Sequence, residues 1–386
     1  MLKLYKLLQL IIDSKFDFSF PVKQKIIIFD ERGSDVLMIL FNKKISIIDT
    51  SLKRINLLVF ILAFLTNFKI NKKIYFEKYI ELVDPELILN SSDNMVLFFE
   101  LNLKKKSQKF FLQSSLIHRI TINLISKIKY ANCDYILLFG ESIKKQLKKK
   151  IRGNFYVVGN YRNNFFKKKN FNIKKTITFI SEYREPFNNN FTLNTGETIN
   201  YDKYYSSEYK LLPKLFNFCK KIDYKLEIIG SSKNLKTRYK EVEFYNSILN
   251  SQKWKYRGPK ITKFYKRKYT SGHFNLINAS HIVYINSTLG YESLSRLKRT
   301  VSFSIRGKIK NFNYFFGSPE NIKKKGPFWT NSLTNKEFKR LMQNLINANI
   351  SLWRNYKNNF CNHFIDYDFN NKKIFTLIKK IMHKKI

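Results

Sequence analysis

Short apolar runs alternate with polar turns and with stretches of helical periodicity along the first half of the chain. Apolar runs that each stop at a polar or glycine-containing cluster occur at residues 25–29, 87–89, 110–112, 135–139 and 156–158. This pattern is typical of buried strands that lead into loops. Residues 52–68 and 143–150 have the length and the apolar spacing of helices. The first half therefore predicts strands and helices that follow one another in turn.

The alternation breaks at residues 161–175, an irregular stretch rich in Asn and Lys that we interpret as a linker. A second set follows, with strands predicted at 176–180, 226–229, 281–285 and 300–305, helices at 206–221 and 236–249, and a mostly helical tail from 336 onward. Two such sets predict the α/β fold class. We expect two doubly wound, Rossmann-like domains that face a cleft, at residues 1–165 and 174–386, and a helical C-terminal tail. Ligands of such sheets bind beyond the carboxyl ends of the strands.

Composition narrows the class of protein. Of the 386 residues, 44% are hydrophobic and 16% aromatic, which excludes a disordered polycation because this much apolar surface can form cores. Cys133, Cys219 and Cys361 are odd in number, far apart and without metal-ligand spacing, so we expect reduced thiols and no metal site. The sequence contains no Walker loop, no G-x-G-x-x-G motif and no Cys/His array.

The formal net charge of +44, from 72 Lys and Arg against 28 Asp and Glu, has two explanations. AT-rich codons produce the same excess of Lys, Asn, Ile, Phe and Tyr without selection for a partner, and the lysines are spread over the whole chain. Alternatively, the charge attracts a polyanion, either nucleic acid or an anionic membrane surface. The apolar run 57–65 is flanked by Lys53, Arg54 and Lys69. It is shorter than the ~20 residues of a spanning helix, so we expect it to be buried or to rest on a membrane.

The sharpest local feature is the segment Asn286-Ser-Thr-Leu-Gly-Tyr-Glu-Ser-Leu-Ser-Arg296, which follows a predicted buried strand and opens a helix. Ser287 and Thr288 are placed to cap that helix, and Gly290 allows a ligand to approach the backbone closely. Free amides and the helix dipole make the turn a candidate phosphate site. Glu292, in the first turn, can accept hydrogen bonds from sugar hydroxyls such as those of a ribose. Alternatively, Ser287 and Thr288 only cap a strand–helix unit, and Glu292 only complements the dipole.

This segment resembles the (D/N)STLGYESLSR signature of bacterial surface carbohydrate biosynthesis proteins, which are glycosyltransferases with a GT-B-like fold. The resemblance continues at 139–142 (FGES), 230–231 (GS), 316–319 (FGSP) and 326–331 (GPFWTN), and so spans most of the chain. Asn286 stands where many relatives are expected to have Asp. Because an amide can cap a helix but cannot act as a base, we do not expect a catalytic role at this position.

The resemblance implies a nucleotide-sugar donor that is bound mainly by the C-terminal half. Glu292 would hold the ribose, while Ser287, Thr288 and Gly290 would contact the phosphates. Three other strands end at the same predicted cleft, and the residues after them would add Ser181, Arg184, Gly230, Ser231 and Arg306 to the donor-binding residues. Arg306 would neutralise a pyrophosphate leaving group, since a guanidinium binds phosphate through two parallel hydrogen bonds. The alternative for Arg306 is a solvated surface side chain.

The N-terminal half would then hold the acceptor and a general base, a carboxylate or an imidazole near the acceptor hydroxyl. The candidates follow predicted strands: Asp30 and Glu31 rank first and His118 next, while Asp93 is also consistent with a turn residue. His118 can equally be a structural hydrogen-bonding residue. We expect no metal and no cofactor apart from the nucleotide-sugar co-substrate, because a helix dipole and basic side chains can stabilise the leaving phosphate.

Together these features predict a metal-independent glycosyltransferase of cell-surface polysaccharide (O-antigen or capsule) biosynthesis, acting on a glycan or lipid-linked acceptor. We expect it in the cytoplasm, with peripheral contact to the anionic inner face of the plasma membrane as an open option. One alternative is a sugar-nucleotide epimerase-like enzyme. A second is a basic nucleic-acid-binding protein, suggested by the interleaved Lys and aromatic residues at 263–269, although nucleic acid is the less favoured partner.

Overall fold

Two parallel six-stranded sheets organise the computed structural model. It describes residues 15–41, 45–103, 106–167, 174–186, 189–192, 198–232, 234–251, 253–264, 267–308, 315–318, 320 and 322–383. The first sheet is built from residues before the predicted linker and the second from residues after it. The α/β class with two doubly wound sheets is therefore confirmed, while the domain boundaries themselves stay a prediction.

Strands and helices mostly alternate in the N-terminal half, as the apolar pattern predicts, although two strands follow each other at 46–56 and two helices at 57–83. They are β1 (Lys15–Asp17), β2 (Ile26–Ile28), α1 (Ser34–Leu40), β3 (Ser46–Ile47), β4 (Arg54–Asn56), α2 (Leu57–Asn67), α3 (Lys72–Val83), β5 (Leu87–Asn90), α4 (Leu97–Glu100), β6 (Gln108–Leu112), α5 (Arg119–Ile125), β7 (Asn132–Leu138), α6 (Glu141–Lys148), β8 (Arg152–Val157) and α7 (Tyr161–Asn164).

The N-terminal sheet has the strand order β3-β2-β5-β6-β7-β8, and all its pairings are parallel. Successive side chains of each strand enter two different cores, because neighbouring residues of a strand point to opposite faces. Ile88 and Phe111 belong to one core, and Leu89 and Phe110 belong to the other. A sheet buried on both faces needs nearly continuous apolar strands, which is what the short apolar runs supply.

The C-terminal half repeats this arrangement. Its strands and helices are β9 (Thr176–Ile180), β10 (Asn190–Thr192), β11 (Thr198–Asn200), α8 (Tyr201–Lys221), β12 (Lys225–Ile229), α9 (Leu235–Leu249), β13 (Lys255–Arg257), β14 (Lys260–Phe264), β15 (Arg267–Ser271), α10 (His273–Ile277), β16 (His281–Tyr284), α11 (Thr288–Ser295), β17 (Arg299–Phe303), β18 (Trp329–Thr330), α12 (Asn335–Asn347), α13 (Ile350–Tyr356), α14 (Asn362–Phe364) and α15 (Lys372–His383). Short 3-10 turns lie at Ile305–Lys308 and Phe369–Asn371, and a π-helical turn lies at Lys357–Cys361.

The second sheet has the order β13-β12-β9-β16-β17-β18 and is again wholly parallel. Pro213 lies inside α8, which runs without a break from Tyr201 to Lys221 and so begins five residues before the predicted helix at 206–221. Asparagine begins many of the helices: the side chains of Asn56, Asn71 and Asn234 each accept a hydrogen bond from the third residue of the helix that follows. A chain rich in Asn thus caps its helices with the residue that it has in abundance.

The helical tail ends against the N-terminal sheet. Ile374, Ile378 and Ile381 of α15 lie in the same core as Ile28 and Leu89 of that sheet. The tail is predicted to belong to the C-terminal half because of its place in the chain. Its last helix, α15, instead packs on the N-terminal half. The segment that leads back to the first sheet contacts it at Asp366, whose backbone N–H donates to the carbonyl of Phe139 at 2.7 Å.

Candidate functional site

A cavity of about 420 Å³ opens between the two halves of the chain. Its walls come from the loops after β6 and β8 of the first sheet and after β9, β12, β16 and β17 of the second, which are the carboxyl ends where ligands of such sheets bind. Its polar lining consists of Ser114, Ser115, His118, Asn160, Arg162, Glu182, Tyr183, Arg184, Tyr204, Ser231, His273, Asn286, Ser287, Thr288, Glu292 and Arg306.

The turn before α11 leaves the amino end of that helix without a side-chain cap. Ser287 occupies the N-cap position with extended backbone angles, but its side chain accepts no hydrogen bond from the helix. The side-chain Nδ2 of Asn286 is buried and has no hydrogen-bond partner among the described residues. Uncapped helix amides and an unpaired amide donor in one cavity wall form a site that favours an anion.

Glu182 and Arg306 form the floor of this turn. Oε1 of Glu182 accepts a hydrogen bond from the backbone N–H of Asn286 at 2.6 Å, and its Oε2 pairs with the guanidinium of Arg306. The same guanidinium pairs with the fully buried carboxylate of Glu208 and lies 4.6 Å from the ring centre of Tyr204. Arg306 is thus a buried side chain with two anionic partners, rather than a solvated one.

Burial and charge act in opposite directions in this triad. Burial raises the pKa of Glu208 to about 7, and the positive charge of Arg306 opposes that shift. Burial also lowers the pKa of Arg306, but the two carboxylates outweigh it, so the pKa of Arg306 is raised above its ordinary value. A guanidinium that two carboxylates already neutralise contributes less positive charge to a ligand than a free one.

Glu292 is turned toward the protein and joins the two halves. Its Oε1 accepts a hydrogen bond from Nδ2 of Asn160 at 2.6 Å, and its Oε2 lies 2.6 Å from Nε2 of His273. A second amide, that of Asn163, donates to Ser295 Oγ at 2.9 Å one turn further along α11. The helix that carries the signature segment is therefore attached to the N-terminal half through two asparagines.

Two glycines of the predicted site are required by aromatic neighbours. A Cβ at Gly290 would lie 2.3 Å from ring atoms of the buried Tyr284, and a Cβ at Gly230 would lie 2.0 Å from the hydroxyl of Tyr256. Neither glycine is among the residues that line the cavity. At Gly290 the sequence predicts that a ligand approaches the backbone closely. The structure instead has a tyrosine ring against the backbone at both glycines.

Ser181 and Ser231 belong to a network around the buried carboxylate of Glu241. Ser181 Oγ donates to Oε1 of Glu241 at 2.5 Å, and the backbone N–H of Ser231 donates to the same oxygen at 2.9 Å. Tyr256 donates to the other carboxylate oxygen at 2.6 Å. Only Ser231 reaches the cavity, so Glu241 fixes the shape of this wall while Ser181 supports it from behind.

His118 and Arg184 face the cavity from opposite halves of the chain. Burial and the positive charge of Arg184 lower the pKa of His118 from 6.5 to about 4, which keeps the imidazole neutral near neutral pH. The guanidinium of Arg184 is exposed and forms no hydrogen bond or ion pair with a described residue. Arg184 is thus a cation in the cavity that no carboxylate of the described residues neutralises, and His118 is a neutral base whose pKa it affects.

Asp30 and Glu31, the carboxylates ranked first as candidates for the general base, lie outside the cavity. Asp30 is buried after β2, where its Oδ1 accepts from the backbone N–H of Arg32 at 2.9 Å, and Glu31 beside it is exposed. Neither lines the cavity, because β2 lies two strands away from β6, the nearest strand whose loop does. Asp93 is buried beneath the cavity wall, where it accepts hydrogen bonds from both Ser114 and Ser115.

The described part of the chain contains no group of three or more His, Cys, Asp or Glu side chains that could hold a metal ion. Asp366 and Asp368 stand two residues apart, but both carboxylates contact Lys373, and neither lines the cavity. All three cysteines are buried free thiols.

Several side chains that shape the cavity were not predicted from the sequence: Asn160, Glu182, Glu208, Glu241 and His273. Glu182 carried a usable signal, since it lies between Ser181 and Arg184 directly after a predicted strand. Asn160 likewise follows the end of a strand, next to Gly159. Glu208, Glu241 and His273 lie within or beside helices and carried no signal that separates them from ordinary helix residues.

Two facing parallel sheets with a polar cleft at their carboxyl ends define an α/β protein of GT-B-like architecture. A family described as "putative O-antigen biosynthesis protein" matches residues 120–382, which is more than half of the chain, and the chain belongs to this family. All nine residues predicted for donor binding lie within the match, and Asp30, Glu31 and His118 precede it. No curated protein matches the chain.

Solved structures share the overall arrangement at low identity. The wall teichoic acid polymerase TagF is 10% identical, with 95% of this chain and 91% of that chain covered and a TM-score of 0.47. The UDP-GlcNAc 2-epimerase of Methanocaldococcus jannaschii, in complex with UDP-GlcNAc and UDP, is 14% identical over 92% of this chain and 99% of that chain, with a TM-score of 0.45. The Neisseria meningitidis UDP-GlcNAc 2-epimerase bound to UDP-GlcNAc is 12% identical over 93% and 91%, with a TM-score of 0.42.

None of the helices in the described ranges combines the length and the apolar character that crossing a membrane requires.

Proposed function

We propose that the protein is a glycosyltransferase of surface polysaccharide biosynthesis that moves a sugar from a nucleotide-activated donor to a hydroxyl of a glycan or lipid-linked acceptor. One observation carries the proposal: the cavity between the sheets has a neutral imidazole on one wall and, on the other, an uncapped helix end and the cation Arg184. Membership of an O-antigen biosynthesis family supports the same substrate class.

The donor phosphates are assigned to the wall formed by the C-terminal half. Ser287, Thr288 and the amides of the first turn of α11 supply hydrogen-bond donors, and Arg184 supplies the charge. Ser231 lies on the same wall. Arg306 acts through Glu182, which it holds against the turn. A ribose contact to Glu292 requires a hydroxyl to share or replace the hydrogen bond from Asn160.

The acceptor is assigned to the wall formed by the N-terminal half, next to His118. The acceptor oxygen forms a bond to the anomeric carbon of the donor sugar, and the bond from that carbon to the phosphate oxygen breaks. The proton of the acceptor hydroxyl passes to the imidazole of His118, and the negative charge passes to the leaving phosphate near Arg184. We assign this role to His118 because, of the four candidate bases Asp30, Glu31, Asp93 and His118, it is the one that lines the cavity.

The proposal keeps the metal-independent reaction predicted from the sequence. What supports it is positive: helix amides and Arg184 are placed to stabilise the leaving phosphate without a cation from solution. Turnover that is unchanged by a chelator is the expected result. Loss of turnover on chelation, with recovery on adding Mg²⁺ or Mn²⁺, would contradict this part of the proposal alone. The cytoplasmic, membrane-peripheral location is likewise proposed.

The decisive experiment is a calorimetric titration of the protein with UDP, GDP, CDP and CMP and with their sugar conjugates. We expect one nucleotide to bind, and Arg184→Gln to weaken its binding about tenfold or more, as loss of a charge-assisted phosphate contact does. Arg354→Gln, at an exposed arginine of α13 outside the cavity, is the matched control and should bind like the wild type. Binding of none of these nucleotides would overturn the proposal.

A product assay then separates transfer from the epimerase-like alternative. The bound nucleotide-sugar is incubated with the protein alone and with a membrane extract that contains acceptors, and the products are separated by chromatography. Release of the nucleotide that depends on acceptor supports transfer. An epimeric nucleotide-sugar formed without acceptor would instead identify an epimerase.

A further inference from the structure

Exposed large apolar side chains are concentrated in two segments of the N-terminal half. Four lie on the segment that begins with β1, namely Phe16, Phe18, Phe20 and Val22, and four lie on or next to α2, namely Ile61, Phe64, Leu65 and Phe68. Their exposed fractions range from 44% for Phe16 to 85% for Phe68. Eight such residues in two short segments exceed the scattered single exposures that are normal on a protein surface.

The two segments are neighbours in space and form one surface. β1 pairs in parallel with β4, with Phe16 opposite Ile55, and α2 begins directly after β4. The side chain of Asn56, the N-cap of α2, donates a hydrogen bond to the backbone carbonyl of Ser19 at 2.6 Å. Ser19 lies between Phe18 and Phe20. We call the surface formed by the eight exposed residues the apolar platform.

Helix α2 is apolar on both of its faces. Val59 and Ala63 are fully buried against the core, whereas Ile61, Phe64, Leu65 and Phe68 recur at helical spacing on the outward side. The helix has eleven residues, which is about half the length of a spanning helix. A short helix with an apolar outward face suits a position in the plane of a membrane interface.

The charges around the apolar platform are mostly positive. Lys53 and Arg54 precede α2, Lys69, Lys72 and Lys73 follow it, and no acidic residue occurs from Lys53 to Phe76. Asp17, within the first segment, accepts hydrogen bonds from Ser19, and Asp49, four residues before Lys53, accepts hydrogen bonds from the backbone N–H groups of Ser51 and Arg54. Glu77 lies 3.7 Å from Lys73 at the far side of the group. Apolar residues ringed by lysines complement a surface that is apolar inside and anionic outside, which is the chemistry of an anionic lipid bilayer.

We propose that the apolar platform docks the protein on an anionic membrane surface, with Phe64, Leu65 and Phe68 inserted at the level of the headgroups and the flanking lysines on the lipid phosphates. This docking is independent of the proposed reaction, since it uses no residue of the cavity. Vesicle binding and nucleotide binding can therefore succeed or fail separately.

The test is sedimentation of the full chain with vesicles of phosphatidylcholine alone and of phosphatidylcholine mixed with phosphatidylglycerol, at low and at high salt. We expect binding to the mixed vesicles that weakens with salt and is much weaker on phosphatidylcholine alone. The double variant Phe64→Ser, Phe68→Ser should bind at least about tenfold more weakly, because two exposed rings no longer enter the interface. Lys69→Gln with Lys72→Gln should lower affinity by about fivefold for each charge.

The matched control is Leu235→Ser with Tyr239→Ser, two exposed apolar residues of α9 in the other half, which should bind like the wild type. Equal thermal melting of all variants shows that each is folded. Failure of the wild type to bind mixed vesicles at low salt would overturn the proposal. Full binding by the double variant Phe64→Ser, Phe68→Ser would also overturn it. Two further results would do the same: a dimer of the wild type that this double variant dissociates, and vesicle binding that appears only after residues 1–14 are removed.

Discussion

Asn160 donates a hydrogen bond of 2.6 Å from its Nδ2 to Oε1 of Glu292, and this contact joins the two halves of the chain at the edge of the cavity. The same asparagine caps α7, since its Oδ1 accepts from the backbone N–H of Arg162 at 2.8 Å. One side chain thus uses its acceptor within the N-terminal half and its donor across to the C-terminal half. Because Glu292 is almost fully buried, the energy of this contact depends on the amide remaining a donor.

Replacing this amide by a carboxylate should destabilise the protein more than removing it. Asn160→Asp keeps the helix cap but places two carboxylates together in a buried site, whereas Asn160→Ser keeps the cap and leaves no second charge. We expect Asn160→Asp to lower the free energy of unfolding by about 2–4 kcal/mol, and Asn160→Ser by about 1–2 kcal/mol. Urea unfolding at neutral pH measures both. Equal losses for the two variants would show that a second carboxylate at this position is not repelled by Glu292.

The sequence predicted most of the fold because the local signals agree with the tertiary structure. The run of three isoleucines in β2 and the apolar strands β5 and β6 are buried on both faces, as a parallel sheet requires. The tail was harder. The spacing of Ile374, Ile378 and Ile381 indicates one apolar helix face, but helical periodicity does not say which sheet covers that face, and the covering sheet is formed more than 200 residues earlier in the chain.

The site was predicted in part for the same reason. The rule that polar residues after parallel strands meet at one edge placed His118, Arg184 and Ser287 in one cavity. It also selected Asp30 and Glu31, which follow a strand that lies away from the cleft, and strand order cannot be read from apolar runs. The partners of Glu292 were out of reach because Asn160 is 132 residues away in sequence.

His118 and Arg184 should be coupled through charge. Burial is the larger cause of the lowered pKa of about 4 for His118 and the positive charge of Arg184 adds to it, so Arg184→Gln should raise that pKa by part of its distance from 6.5. Binding of a nucleotide diphosphate, which neutralises Arg184, should shift it in the same direction. The ring signals of the five histidines in an NMR titration report this directly, and His118→Asn identifies the resonance. If the pKa of His118 responded to neither change, Arg184 would not lie close enough to His118 to affect it.

The same coupling predicts the pH dependence of transfer. A general base must be deprotonated, so activity falls as pH drops below its pKa. The acid limb of kcat/KM, which reports the free enzyme, should therefore lie at lower pH than the acid limb of kcat, which reports the complex. His118→Asn should lower kcat by about a hundredfold or more while nucleotide affinity is kept. An unchanged kcat in this variant would exclude His118 as the base.

His281 should make the protein sensitive to acid. Its Nε2 lies 3.4 Å from Nη1 of Arg299, which can only donate, so Nδ1 carries the proton and faces the carbonyl of Thr176 at 3.2 Å. Burial and the charge of Arg299 lower the pKa of His281 from 6.5 to about 4. Between these two pH values the unfolded chain binds a proton that the folded chain does not. The free energy of unfolding therefore falls as pH falls, by up to about 1.4 kcal/mol per pH unit from this group.

His281→Asn isolates that contribution, because an amide can still donate to the Thr176 carbonyl but does not titrate. We expect the wild type to lose stability relative to this variant as pH is lowered from about 6.5 to about 4, and the two curves to run parallel above pH 7. Denaturant unfolding across this range gives both curves. Parallel curves over the whole range would mean that His281 has the same pKa in the folded and unfolded chains.

A substitution at Gly290 tests whether the glycine of the signature segment is needed for packing or for ligand binding. A Cβ at this position would lie 2.3 Å from the ring of Tyr284, which is fully buried, so Gly290→Ala should lower the free energy of unfolding by about 1–3 kcal/mol. Gly272→Ala is the matched control, since its Cβ would meet only methyl groups, that of Leu289 at 3.2 Å and that of Ile229 at 3.4 Å. Combining Gly290→Ala with Tyr284→Leu should cost less than the two single losses added together, because the clash is then relieved. If Gly290→Ala instead left stability unchanged and abolished nucleotide binding, the glycine would serve the ligand and not the ring.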